Sequence, residues 1–160
     1  MDRPTFFHGG DPIRAGGMLV YVRTHQGVKV LVRFAKGKVS DIGGKTDKVD
    51  MCIEDTVARE VWEETNGGLY GQGLNQKAFM FALKQRLHDP TTMRVYNKKC
   101  KYILFVVEES HQFLGLPMHR FGLREDTDGM NHYYRWEDAM MLKRLKLHFR
   151  LRVLEKDLRF

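Results

Sequence analysis

The sequence predicts a single α/β domain with a mixed sheet between helices. Three observations point there. Residues 18–22 and 28–34 are apolar runs separated by a Gln26-Gly27 turn signal, the pattern of a β-hairpin. Residues 51–65 switch to helical spacing. Further strand-like runs and a late helical stretch then follow within 160 residues, a length that suits one domain spanning 1–160.

Taken in order, residues 1–15 contain Gly9-Gly10-Asp11-Pro12 and read as an irregular arm. The run at 18–22 is short and wholly apolar, which suits a strand buried on both faces. Gly37, Gly43 and Gly44 punctuate a loop-rich passage after the hairpin. In the helix over 51–65, Asp50 is the expected N-cap, and Glu54 and Asp55 occupy the first turns, where the helix dipole favours negative charge. Asn66-Gly67-Gly68 supplies residues that tolerate the left-handed conformation of a C-cap.

Residues 77–88 read as a strand, Asp89-Pro90-Thr91-Thr92 as a turn and residues 100–108 as a second buried strand. A polar loop with Glu125, Asp126 and Asp128 leads to a last strand at 132–136 and a helix over 137–146. In the tail, Leu147, Leu151, Leu154 and Leu158 recur at helical spacing, although an alternating pattern competes around residue 150; a helix near the end is expected.

Composition narrows the function classes. Hydrophobic residues make up 42% and charged residues 29%, a globular balance. No apolar stretch approaches the roughly 20 residues that span a bilayer. Met1-Asp2-Arg3-Pro4 has no apolar signal core, so secretion is not expected. Cys52 and Cys100 form no C-x-x-C pair and read as reduced thiols, which fits a cytoplasmic protein. The net charge of +7 favours an anionic partner such as a polyphosphate, a nucleic acid or an acidic surface.

The chemistry-bearing segment is Arg59-Glu60-Val61-Trp62-Glu63-Glu64 with Gly43-Gly44-Lys45 upstream. Glu60, Glu63 and Glu64 stand at i, i+3 and i+4 and share one side of a helix. At the α-helical pitch, Glu60 and Glu64 fall about 20° either side of Ile53, the start of the apolar stripe. The carboxylates therefore extend the inward stripe. Such a cluster repels itself, desolvation worsens the repulsion, and a hard divalent cation such as magnesium relieves it. A solvated charged helix face is the competing reading. The glycine pair weighs against it, because it lets backbone pass close to the helix and present a carbonyl.

This segment resembles the signature of the Nudix hydrolase family, G-x5-E-x7-R-E-U-x-E-E-x-G-U, where U is a bulky apolar residue. Residues 59–64 match its R-E-U-x-E-E core without a mismatch, and Gly43-Gly44-Lys45 is similar to its usual G-G-K. There are departures. Asp50 stands where the family has Glu, the interval from there to Arg59 is one residue longer, and Gly67 comes one residue late behind Asn66. The extra residue before the helix falls in a loop, where it is tolerable.

The resemblance implies a Nudix-like α/β/α sandwich and hydrolysis of a phosphoanhydride bond in a nucleotide-like substrate. It assigns Glu60, Glu63, Glu64 and the Gly43 carbonyl to magnesium, with manganese as a substitute. Glu60 or Glu64 acts on the attacking water, and Arg59 orients the carboxylates. A later loop often adds a base; Glu125, Asp126, Asp128, Glu108 and Glu109 are the candidates.

Arg33, Lys36, Lys38 and Lys45 precede the helix and are the candidate substrate-binding residues. More basic residues follow between Lys84 and Lys101, and Lys143, Arg144, Lys146, Arg150 and Arg152 crowd the tail. This track suits a dinucleoside polyphosphate, a pyrophosphorylated inositol or capped RNA. Three functions stay open: a hydrolase of small nucleoside-diphosphate compounds, an mRNA-decapping enzyme, and a non-catalytic module that binds RNA or a nucleotide.

Overall fold

The buried run at 18–22 lies in the middle of a long strand, β3 (Ala15–Thr24), which anchors the sheet. The structure is a computed structural model that describes residues 2–70, 73–118, 121, 132–148 and 150–151. β3 turns at Thr24–Gly27 into the antiparallel β4 (Gly27–Ala35), as the hairpin signal predicts. Gly27 takes a φ of 120°, open to glycine and strained for other residues. The expected irregular arm contains a small hairpin instead, β1 (Phe6–His8) and β2 (Asp11–Ile13), turned through Gly9 and Gly10 at positive φ.

The glycine-rich passage is less of a loop than expected. It holds β5 (Lys38–Ser40), which pairs with the end of β4, and β6 (Ile42–Lys45), which pairs with the start of β3. β3 and β4 separate beyond Val20 and Leu31, and this segment fills the wedge between them. Asp41 stands where the chain changes from one strand to the other.

The helix expected over 51–65 forms as α1 (Ile53–Glu64). Cys52, not Asp50, is its N-cap. The Asp50 carboxylate is taken up by the backbone N–H of Asp47, the hydroxyl of Thr56 and the guanidinium of Arg59, so it has no capacity left to cap. Asp55 instead accepts from Met51 N at 2.9 Å, tying the first turn to the segment before it. The helix stops as predicted, with Asn66 and Gly67 both at positive φ and Gly67 N donating to Trp62 O at 2.9 Å.

The strand expected over 77–88 is a helix, α2 (Gln76–Leu87). Asn75 caps it by accepting from Ala78 N at 2.8 Å. Phe79, Leu83 and Leu87 recur every fourth residue and are fully buried, so tertiary packing rewards the helical period. α2 lies beside α1, joined by the Lys84–Asp55 ion pair at 2.7 Å and an edge-on Trp62–Phe79 contact. After the Asp89–Thr92 turn come β7 (Met93–Asn97), which the sequence reading passed over, and β8 (Tyr102–Glu109), close to the expected strand. β8 runs parallel to β3 over Ala15–Val22, so the sheet is mixed.

The last strand, β9 (Tyr133–Asp138), adds to the free edge of β4. It extends past Trp136, and the helix expected over 137–146 is replaced by a short 3-10 segment, Ala139–Arg144. Both described α-helices cover one sheet face, where Met18, Val20, Ile103 and Phe105 meet Val57, Val61 and Phe79. The opposite face packs Leu19, Val32 and Leu104 against Leu142, Leu147 and Leu151 of the 3-10 segment and tail. The tail beyond Leu151 lies outside the described residues. Among the described residues no helix is long and apolar enough to cross a membrane. Cys52 and Cys100 are free thiols.

Where β3 and β6 meet, four glycines face one another: Gly16 opposite Gly44 and Gly17 opposite Gly43. A Cβ on Gly16 would press on Val57 and Ile53 of α1 at 3.1 and 3.2 Å. A Cβ on Gly17, on the other face, would overlap the Tyr102 hydroxyl and the Asp41 carboxylate. Gly17→Ala is therefore expected to lower unfolding free energy in urea by about 3 kcal/mol. Gly115→Ala, where a Cβ meets open space, should stay within about 0.5 kcal/mol. Equal effects would show that the glycine contact is not under steric constraint.

Candidate active site

α1 projects Glu60, Glu63 and Glu64 from the side predicted by their spacing, but to different depths. The side chains are 15%, 47% and 24% exposed. Glu60 lies directly over β6, so close that a Cβ on Gly44 would overlap its carboxylate. Glycine at 44 is what lets this acid descend onto the sheet. Burial pushes the Glu60 carboxyl up to about 7; Arg59 pulls against the shift, and Glu63 and Glu64 add to it.

Arg59 is the hub of this end of the helix. Its Nε and Nη2 donate to Asp50 Oδ1 and Oδ2, each at 3.0 Å, a two-pronged grip on a side chain only 2% exposed. Nη2 also donates to the Lys45 carbonyl at 2.9 Å. Nη1 reaches Glu60 Oε1 at 3.1 Å and Glu63 Oε2 at 3.6 Å. One guanidinium therefore ties the loop before the helix, the end of β6 and two of the three acids together. Just ahead of the helix, the Asp47–Asp50 turn is closed by Asp50 N donating to Asp47 O at 2.9 Å.

Glu64 belongs to a second group. Its Oε2 is 3.2 Å from Arg33 Nε of β4 and 3.3 Å from the Tyr134 hydroxyl of β9, which also donates to the Glu64 backbone carbonyl at 2.9 Å. Arg33 and Tyr134 are register partners across β4 and β9. Burial pushes the Tyr134 hydroxyl pKa up, and the nearby Glu64 charge adds to the effect. Sequence reasoning missed Tyr134, because nothing in its local pattern separates it from a core tyrosine.

Of the four basic residues singled out for substrate, the structure brings the side chain of one, Arg33, to the acids, while Lys45 joins the group through its backbone. Arg33 contacts Glu64, and the Lys45 carbonyl receives Arg59. Lys36 sits on the β4–β5 turn, and Lys38 opens β5 and pairs with Ala35, about 7 Å along β4 from Arg33. Glu108 and Glu109 do not reach the site. They pair with Tyr21 and Val22, whereas Ile42 of β6 pairs with Met18, so Glu109 lies about 13 Å further along β3. Glu108 binds Arg23, and Glu109 binds Arg86. Glu125, Asp126 and Asp128 lie outside the described residues.

Among the described residues, no three His, Cys, Asp or Glu side chains form a ready-made metal cage. Glu60 and Glu64 are instead held by Arg59 and Arg33. The donor set still fits a hard divalent ion. It consists of oxygens only, one acid is buried enough to resist ionisation, and the Gly44 cradle brings that acid against backbone.

A mixed sheet with an acid-bearing helix seated on a glycine pair is the architecture at hand. No protein-family model and no curated protein sequence matches the chain. Solved structures do. A C. elegans Ap4A hydrolase binary complex aligns with a TM-score of 0.52 and 12% identity over 90% of this chain and 95% of that one. The NUDIX domain of Shewanella oneidensis NrtR complexed with ADP ribose aligns with a TM-score of 0.51 and 14% identity over 91% and 85%. The chain has a Nudix-like fold.

Asp50 gives this site an acid limit. Burial opposes its charge, but hydrogen bonds from Arg59, Asp47 N and Thr56 outweigh burial and hold its pKa below 3.8. A depressed carboxyl pKa contributes stability above pH 3.8 that is lost as pH falls through the lowered value. Asp50→Asn is expected to cost about 2–3 kcal/mol at pH 7. Its urea midpoint should also fall less than the wild-type midpoint on acidification; parallel pH profiles would refute this role for Asp50.

Proposed function

We propose that this chain is a divalent-metal-dependent hydrolase of phosphoanhydride bonds in nucleoside-diphosphate-linked or polyphosphorylated compounds. The observation that carries the reading is the seating of Glu60 on Gly44, with Glu64 inward beside Arg33 and Tyr134. The fold neighbours act on or bind compounds with linked phosphates, Ap4A in one case and ADP ribose in the other.

In this reading Glu60, Glu63, Glu64 and the Gly43 carbonyl hold magnesium, for which manganese can substitute. Held there, the ion would supply charge to screen the diphosphate oxygens and would make a water molecule more acidic. Arg59 stays with Asp50 and keeps α1 in register over β6. Arg33 is released from Glu64 to a phosphate oxygen, and Lys45 flanks the same opening. Glu60 or Glu64 takes the proton of the water that attacks one phosphorus, and the anhydride P–O bond breaks as the other phosphate leaves with the bonding pair. Capped RNA is a second substrate reading, supported by the basic residues that continue from Arg33 to Lys36 and Lys38 and by the net charge of +7. A module that binds RNA or nucleotide without turnover is the third.

Glu63→Gln and Glu64→Gln should each reduce magnesium-dependent turnover about a hundredfold or more, with unchanged circular dichroism. The readout is product release from a panel of dinucleotides, nucleoside triphosphates, inositol pyrophosphates and capped RNA. Wild-type turnover in both variants would reject the assignment. RNA retention with no hydrolysis of any panel member would favour the binding module.

The raised Glu60 pKa sets a second expectation. A carboxyl lifted from 4.5 to about 7 contributes stability at acid pH that is lost as pH rises through 7. Ligation needs the deprotonated acid. Magnesium should therefore raise the melting temperature more at pH 8 than at pH 6; an equal or reversed effect would contradict ligation by Glu60.

A further inference from the structure

A second group of buried polar side chains lies on the face of the sheet opposite α1. The Asp41 side chain is 0% exposed, at the break between β5 and β6. An unpaired carboxylate there would be strongly unfavourable. It accepts a hydrogen bond from the Tyr102 hydroxyl, and its Oδ1 lies 3.3 Å from Arg150 Nη2. The Arg150 guanidinium also stands 4.7 Å above the Tyr102 ring. Arg150 comes from the tail, which is tied along β5. Val39 N donates to Lys146 O at 2.8 Å, and His148 N donates to Val39 O at 2.7 Å.

The position of this group is informative. Gly17 and Gly43 leave the space that the Tyr102 hydroxyl occupies; a Cβ on either would overlap it. Gly44, the next residue, leaves space on the other face for Glu60. Successive residues of a strand face opposite ways, so the Tyr102–Asp41–Arg150 group and Glu60 press on adjacent glycines from opposite sides.

We propose that Arg150 is a positioning residue for divalent-cation binding, acting through Asp41 and Tyr102 to hold the Gly43–Gly44 backbone from behind. Arg150 is then part of the site although it is not itself a ligand. The inference rests on the metal-binding reading of Glu60, Glu63 and Glu64. The reading and the inference separate in one experiment.

Mn2+ binding to the full chain is measured by the paramagnetic resonance signal of the free ion, without substrate. Arg150→Met should weaken binding about tenfold, the effect of removing an outer-shell partner of a metal site. Arg150→Lys should recover part of the loss, because it keeps the charge. Tyr102→Phe, which keeps the ring but removes the hydroxyl that donates to Asp41, should weaken binding in the same direction and stands in if Arg150→Met does not fold. Leu83→Ala, a cavity in α2 away from the site, controls for stability and should bind as wild type does. Wild-type affinity in Arg150→Met or Tyr102→Phe would overturn the proposal, as would an equal loss in Leu83→Ala. If wild type binds Mn2+ and Glu63→Gln weakens it while Arg150→Met does not, only the role of Arg150 is lost. If wild type binds no Mn2+, the metal reading and this inference fall together.

Discussion

The close approach of β3 and β6 is the constraint on which the rest depends. Gly16, Gly17, Gly43 and Gly44 face one another in two pairs, and each lacks a side chain where another group already stands. On one face the vacated space admits the apolar stripe of α1 and the Glu60 carboxylate. On the other it admits the Tyr102 hydroxyl and Asp41. Packing at protein density leaves no slack for even one methyl group at such a contact. Steric demand rather than turn formation explains these four residues, none of which takes a positive φ.

Charge is arranged around this contact in complementary pairs. Arg59 couples Asp50 to Glu60 and Glu63, and Arg33 holds Glu64. Such pairs offset the repulsion among three acids on one helix and keep two of them turned inward. The arginines are not equivalent. Arg59 is fixed by a two-pronged hydrogen bond to a buried partner, whereas Arg33 shares its acid with a tyrosine hydroxyl. Asp50, which stands where the Nudix signature has Glu, is the acid that takes this two-pronged bond.

The sheet also explains why the late chain departs from local expectation. β9 must run antiparallel along β4 from Lys29 to Phe34 to close that edge, and this pairing carries the strand through Asp138. A short 3-10 segment, with Leu147 and Leu151 beyond it, then packs on the second face. For α2 the opposite holds: its residues alternate poorly in both periods, and burial of Phe79, Leu83 and Leu87 against α1 and the sheet selects the helix.

By itself the sequence determined the local elements and the composition of the acid cluster. The β3–β4 hairpin, the extent of α1, its Asn66-Gly67 stop and the common side of Glu60, Glu63 and Glu64 all follow from turn chemistry and residue spacing within about a dozen positions. The tertiary structure alone decided which groups answer those acids. Arg33 and Tyr134 meet Glu64 through the register of β4 and β9, Glu108 and Glu109 are carried away by the register of β8, and Arg150 meets Asp41 across 109 residues of chain. Strand register and tail docking are long-range choices governed by burial and pairing. A local pattern contains no term for them, because the same side chains would fit several registers until the sheet is assembled.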